Sequence, residues 1–381
     1  METNAIATSK LRLLLNAEAF GFGPTAAIAD CFPHLRKLFG TIGYVGKGHT
    51  LDLQKPLPYD CIHDLTGFDQ LEEDAALADI FKQYDIFLTA LDCEMAERAL
   101  TAGLWTAIYD PLTWYWKSIA PVVKNCHLYI AQDFFGVRER MASQAECFGQ
   151  AVVVAPIVSP TPAVSDDAPR EHVLLNLGGL NNPFWSAQDT LAYARLVVES
   201  VVKSGAVKEP LIIAANSAIA KALPQYGVRN YSREQMQAVL ANSRYAFMTP
   251  GLGNIYDAAR HQVPTIWLPP ANDSQGQQLD LLTAHGMADG SLDWHSFTEA
   301  EAIDYKGEQA AILKRITAQV ESTAGSAELQ AALTRRMSQL VETLASSGDA
   351  SACTALTARF GSGGAEQLAS ILLARAELAK A

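Results

Sequence analysis

Basic residues are scarce in this chain: 29 Lys and Arg stand against 41 Asp and Glu over 381 residues, a formal charge of -12. A surface of that sign repels a phosphate backbone unless a local basic face exists, and no basic cluster is present, so nucleic acid is not an expected partner. Long apolar runs are absent too. No stretch of 18 apolar residues occurs, which excludes a membrane-spanning helix, and residues 11–15 are too short and lack the basic flank of a signal peptide. The expected location is cytoplasmic. The six cysteines (Cys31, Cys61, Cys93, Cys126, Cys147, Cys353) are scattered with no C-x-x-C pair, which reads as reduced packing thiols. His and Cys at zinc-ligand spacing are also missing, so no metal site and no bound cofactor is expected.

What is there is apolar, at 49% of residues, and long enough for two domains. The first half alternates short β-rich runs with helical patterns, the signature of βα units in a parallel sheet. Strands are expected at 11–15, 41–45, 86–89, 106–109, 128–131 and 152–154, with helices at 25–38 and 93–102. The second half repeats the scheme, with strands near 173–177, 211–214, 245–248 and 265–268 and a helix at 187–203. Between the halves, Pro156, Pro160, Pro162 and Pro169 mix with Ser and Asp as in an interdomain connector. The expected division is an N-terminal domain at 1–155, a linker at 156–170, a second domain at 171–345 and a helical tail at 346–381. Leu329, Leu333, Met337, Leu340 and Leu344 recur at intervals of four, four, three and four, an amphipathic stripe. A break at 361–364 precedes a last helix carrying Leu368, Ile371, Leu372 and Leu378.

The most informative stretch begins at Tyr245, YAFMTPGLGNIYDAARHQVPTIWLPP. A strand runs into a turn with Thr249, Gly251, Leu252 and Gly253, a helix opens near Asn254, and Pro264 leads into another strand. Glycines at a strand-to-helix turn let backbone amides approach an anion, and the first helical turn adds free N–H groups and a favourable dipole. That describes a diphosphate cradle. Asp257 falls about one turn inside the helix, where it is better placed for ribose hydroxyls than for phosphate. A second turn, LLNLGGLNN from Leu174, ends a strand in Gly178 and Gly179, with Asn181 behind them. Ser232 and Gln235 form a capping box ahead of Met236, Val239 and Leu240.

This ordered set resembles the GT-B superfamily, most closely the branch of the bacterial N-acetylglucosaminyltransferase that makes lipid II. The match runs through Gly251, Asp257, Ala258, Ala259, Pro264, Pro269, Gln277 and Gln278, with aspartate where the family normally has glutamate. The resemblance implies an α/β chain of GT-B class, two doubly wound Rossmann-like domains facing across a cleft. It implies a sugar moved, with inversion, from a nucleotide diphosphate donor, UDP-linked, onto a small-molecule acceptor. In that reading Asp257 holds the ribose and the 251–254 turn the diphosphate. Gln277 or Gln278 reaches the donor sugar, with Asp273 as a further candidate, and Gly178 and Gly179 face the diphosphate. The nucleotide sugar is a co-substrate rather than a cofactor. Chain-wide absence of an Asp-x-Asp motif agrees with a metal-independent reaction in which helix and glycine amides take the place of a divalent cation. A homodimer is left open.

The N-terminal half matches only in layout. Its first strand leads to Gly21, Phe22, Gly23 and Pro24, where the lipid II enzymes carry a Gly-Gly pair and a histidine, and no histidine lies between Leu11 and Pro33. Glu18 and Asp110 are the carboxylates placed at strand ends to serve as base instead. Trp105, Tyr109, Trp114, Tyr115 and Trp116 crowd one segment, and a partly exposed wall of Trp114 and Trp116 suits a flat or sugar-like acceptor, with Gly21, Phe22 and Gly23 beside it. The run YDPLTWYWK and the two glycine turns are also similar to cytosylglucuronate synthases, which implies a planar acceptor and a cation, Lys117 or Arg138, for a donor carboxylate.

Three other readings compete. Gly21, Gly23 and Ala26 fit the dinucleotide fingerprint G-x-G-x-x-A, but the first glycine comes six residues after Leu15 and the second strand ends without an acid for an adenosine ribose. A nucleotide-sugar epimerase or hydrolase on the same fold shares the donor pocket. A non-catalytic sugar-nucleotide sensor would bind without turnover.

Overall fold

The computed structural model describes residues 8–159, 170–178, 180, 185–347 and 351–380. The chain forms two compact units, Met1–Val158 with Phe360–Ala381, and Ser159–Arg359.

In the first unit seven strands are described: β1 (Ser9–Ala17), β2 (Phe39–Gly46), β3 (Cys61–Asp64), β4 (Ile86–Ala90), β5 (Trp105–Asp110), β6 (Leu128–Gln132) and β7 (Ala151–Val154). Their order is β3-β2-β1-β4-β5-β6-β7, and every pairing is parallel. Helices cover both faces of such a sheet, so its central strands read as unbroken apolar runs. Leu13, Leu14 and Leu15 are accordingly fully buried, as are Ile86, Phe87 and Leu88. Ten expected strands are found within a residue or two of their bounds, and two were missed. β3 escaped because it is a half-exposed edge strand, Cys-Ile-His-Asp, with no apolar run to read.

The second unit has β8 (His172–Asn176), β9 (Leu211–Ala214), β10 (Ser243–Met248), β11 (Thr265–Trp267) and β12 (Gly290–Ser291), the last too short to leave a pattern. Their order is β12-β11-β10-β8-β9, again all parallel. The expected stripe forms the helix Ala327–Ser347, with Leu333 and Met337 fully buried and Leu329 only partly. Each such burial contributes about 1.5–3 kcal/mol. Among the described residues no helix is long and apolar enough to cross a membrane.

The tail is not a separate segment. Residues 351–359 complete the second unit: Ser351 Oγ donates to Asp289 at 3.0 Å and Cys353 Sγ to the Met287 carbonyl at 3.1 Å. The helix Gly364–Lys380 belongs to the first unit, where Ala365, Leu368, Ala369, Leu372 and Ala376 join the core of β1, β4 and β5. Gly364 is required there, since a Cβ would overlap the Ala155 carbonyl oxygen. The linker is shorter than expected at its start, because Ile157 packs in the first core and its N–H donates to Gln132 at 2.8 Å. Residues 160–169 lie outside the described residues.

Candidate functional site

In an open α/β sheet the chain leaves its first strand in one direction, then crosses back, and the loops at that switch point diverge to leave a ligand site at the carboxyl ends of the strands. In the second unit the switch lies between β8 and β10, in the first between β1 and β4. The three glycine turns found in the sequence fall at these two places, one after β1 and two after β8 and β10.

In the second unit Asn176 closes β8 opposite Met248 of β10. Gly178 follows with φ +64, accepted cheaply only by glycine, and a Cβ there would press on Thr249 Oγ1 at 3.3 Å. The two turns are braced together. Asn176 Nδ2 donates to Asn254 Oδ1 at 3.2 Å, and Asn254 Nδ2 donates to the Thr249 carbonyl at 2.9 Å. Gly251 then caps the helix Leu252–His261 with no side-chain bond and no acid in the first turn. A Cβ on Gly251 or Gly253 would meet nothing within 4 Å. The amides of Leu252 and Gly253 therefore head an uncapped helix beside open space, a setting that favours an anion. Gly178, Thr249, Gly251, Leu252, Gly253 and Asn254 are thus brought together. Gly179 and Asn181 lie outside the described residues.

Asp257 is engaged differently from the expectation. Its two oxygens accept from Arg233 Nη1 at 2.5 Å and Nη2 at 2.9 Å, and the carboxylate is buried. Arg233 opens the helix Arg233–Ala241, whose capping box forms as expected, Ser232 Oγ accepting from the Gln235 N–H at 3.2 Å. One turn along, Gln237 Oε1 and His261 Nε2 pair at 2.8 Å. Burial lowers the His261 pKa. Arg233 is not among the residues expected from sequence, yet it carries a signal: a cation at the first position of a helix opposes the dipole and calls for a carboxylate partner.

Past β11, Asn272 caps the helix Asp273–Ala284. Asp273 is buried and accepts from Gln309 at 3.3 Å. Gln277 does not converge on the turn in the expected way, since its Nε2 donates to the Tyr305 carbonyl at 2.7 Å. Gln278 is buried with its Oε1 unpartnered among the described residues. Tyr305 lies flat on Gly276, where no Cβ would fit, and its hydroxyl donates to Asp293 at 2.6 Å.

In the first unit Glu18 leaves β1 with its N–H donating to the Ala90 carbonyl of β4 at 2.9 Å, directly at the switch point. Burial lifts its carboxyl from an ordinary 4.5 to about 7, with Asp92 and Glu94 adding to the rise and the Ala19 N–H and Lys47 opposing it. Asp92 caps the helix Cys93–Thr101 through Met95 N–H at 2.9 Å. Lys47, at the end of β2, is held by Glu73 at 2.8 Å. Gly21 turns with φ +61, and Phe22 and Gly23 open the helix Gly23–Leu38. The fold supplies at this turn the histidine that local sequence lacks: His49 Nε2 lies 2.9 Å from the Gly21 carbonyl oxygen, its ring 6.0 Å from that of Phe22. The 28 residues separating Gly21 from His49 leave no local motif by which to find it.

Asp110 does not fit a base. It is buried at the end of β5 and accepts from Leu112 N–H at 2.6 Å, Tyr129 Oη at 2.6 Å and Trp116 Nε1 at 2.8 Å. Burial raises its pKa, and these donors pull back against that rise. A carboxylate so committed organises the loop and does not reach a substrate proton. The aromatic run is correspondingly not one flat wall. Trp114, Tyr115 and Trp116 are half-buried, and consecutive rings meet edge to face at 69°. Arg138, one cation expected for a donor carboxylate, is already paired with Asp133 at 2.7 Å; Lys117 is exposed.

Comparison with solved structures decides the fold. MurG of Acinetobacter baumannii superposes with a TM-score of 0.51 at 12% identity, covering 96% of this chain and 100% of its own. The chain has the GT-B fold. UDP-GlcNAc 2-epimerase of Methanocaldococcus jannaschii, another GT-B protein, gives 0.50 at 11% identity over 96% and 100%. No family model and no curated protein matches the sequence. Within GT-B, both switch points described above lie at the carboxyl edges of Rossmann-like sheets.

Proposed function

We propose that this GT-B chain is a glycosyltransferase that takes a sugar from a UDP-linked donor to a small acceptor with inversion and without a metal ion. The observation that carries the reading is the pair of turns at the β8/β10 switch. Gly178 must be glycine, Gly251 and Gly253 face open space, and the helix behind them has neither a capping side chain nor an acid in its first turn. Leu252 and Gly253 N–H groups would meet the negative charge that grows on the leaving diphosphate. Glu18, with a pKa near neutrality, is the base for the acceptor. Its carboxylate takes the acceptor's proton as the acceptor's nucleophilic atom bonds to the anomeric carbon. The bond from that carbon to the diphosphate oxygen breaks, and the electron pair leaves with the diphosphate.

The GT-B fold of the Methanocaldococcus jannaschii epimerase favours one alternative, conversion of a nucleotide sugar without an acceptor. Calorimetry with UDP, followed by product analysis of a UDP-sugar alone and with an acceptor panel, separates them. Consumption only when an acceptor is present supports transfer. Conversion of the donor alone favours the alternative, and absence of UDP binding sinks both.

A further inference from the structure

Three buried side-chain groups of the first unit, the Tyr44 hydroxyl and two N–H donors, meet no partner among the described residues, and the two N–H donors lie in neighbouring segments. The Trp114 indole N–H and the Arg140 Nε–H are shut off from solvent, and neither meets an acceptor among the described residues. They share a neighbourhood: Arg140 Nη1 donates to the Trp114 carbonyl at 3.5 Å. Trp114 lies in the turn after β5, and Arg140 in the helix Val137–Ser143 after the adjacent β6. Both stand at the carboxyl edge that also carries Glu18, β5 lying two strand spacings, about 10 Å, from β1.

Arg140 attracts the buried Asp110 carboxylate without pairing to it. It makes no ion pair among the described residues, whereas Arg138 on the same helix is bound to Asp133. The carboxylate that Arg140 senses, Asp110, gives its oxygens to Leu112, Trp116 and Tyr129. The half-buried guanidinium and the indole N–H come from residues that touch through the Trp114 carbonyl, and neither group can accept. Native structures seldom leave such groups unmatched, so the missing partner is rich in acceptors.

We propose that Trp114 and Arg140 receive an oxyanion, a carboxylate or a phosphate, carried by the acceptor. The inference rests on the reading that the first unit is the acceptor side. It assigns the acceptor a charge class and gives Trp114 a task other than stacking. Charge-assisted bonds from guanidinium and indole orient the anion, which leaves the acceptor's reactive atom to face Glu18. Neither hydrogen is open to solvent, so entry requires the turn after β5 to lift.

The test is an indole-resolved NMR titration. Six tryptophans give six indole N–H signals, and Trp114→Phe identifies its own by loss. Acetate and inorganic phosphate are titrated separately to about 50 mM, enough to saturate a millimolar site. The expected result is a saturable downfield move of the Trp114 signal, weakened about tenfold or more by Arg140→Gln and less by Arg140→Lys. The tighter anion tells carboxylate from phosphate. Trp114→Phe is expected to melt higher than the parent without anion, having lost an unmatched donor, and to gain nothing when anion is added. A Trp114 signal that stays still through both titrations overturns the proposal, as does a move that persists unchanged in both Arg140 variants. UDP binding is measured on the same samples, so failure of the donor reading shows separately from failure of this one.

Discussion

The two switch points are the same place in the same kind of sheet, yet their chemistry is opposite. At β8/β10 the edge is made of amides: Gly178, Gly251 and Gly253, braced by Asn176 and Asn254, with no acid at the helix start. At β1/β4 it is made of carboxylates, Glu18 and Asp92, with Lys47 held close by Glu73. An amide edge attracts a diphosphate and an acidic edge repels one, while a half-buried acid near neutrality is suited to taking a proton. Topology decides where a ligand can sit, and the side chains at the strand ends decide which ligand it is.

The sharpest test of that contrast is Glu18→Gln, which removes the proposed base and leaves the shape. We expect kcat to fall about a thousandfold with UDP affinity unchanged. In the parent, kcat/KM should fall about tenfold per pH unit below about 7, where Glu18 gains its proton, and a residual rate in Glu18→Gln should lack that limb. Stability responds with the opposite sign. The folded state binds this proton more tightly than the unfolded chain, so parental stability should drop, relative to Glu18→Gln, as pH climbs from 4.5 to about 7. An unchanged kcat removes Glu18 from the chemistry.

Gly251→Asp makes the amide edge resemble the acidic one. The new carboxylate would cap the helix and raise stability by about 0.3 kcal/mol, while repelling the diphosphate and weakening UDP about a hundredfold. Calorimetry and melting curves read both, and a variant that binds UDP as tightly as the parent breaks the comparison. Arg233→Ala leaves Asp257 buried and alone, with an expected loss of about 2–4 kcal/mol in urea unfolding. Loss of only a few tenths would mean the pair is a surface contact. The smallest expected effect belongs to EDTA: on the proposed mechanism, in which amides take the place of a cation, turnover should persist. Activity lost to the chelator and restored by magnesium would refute that mechanism.

The contrast itself was half legible in sequence. Parallel strands buried on both faces leave continuous apolar runs, and glycine turns at their ends leave letters, so the sheets and the 251–254 turn could be read directly. What could not be read are pairings set by tertiary contact. His49 meets Gly21 because β2 returns beside β1, and Arg233 meets Asp257 because two helices lie side by side. Asp110 looked available as a lone acid after a strand, and only the packing of Tyr129 and Trp116 around it shows that it is committed.

The return of the helix Gly364–Lys380 to the first unit fixes an order of events during synthesis. The second unit is built from one continuous stretch, so all of its core is available once residue 359 has emerged. The first unit is made earlier but waits longer. Its seven strands can pair, yet the space filled by Leu368, Ala369 and Leu372 stays open until those residues leave the ribosome. The domain begun first is the one finished last, and until then part of its apolar core is left uncovered.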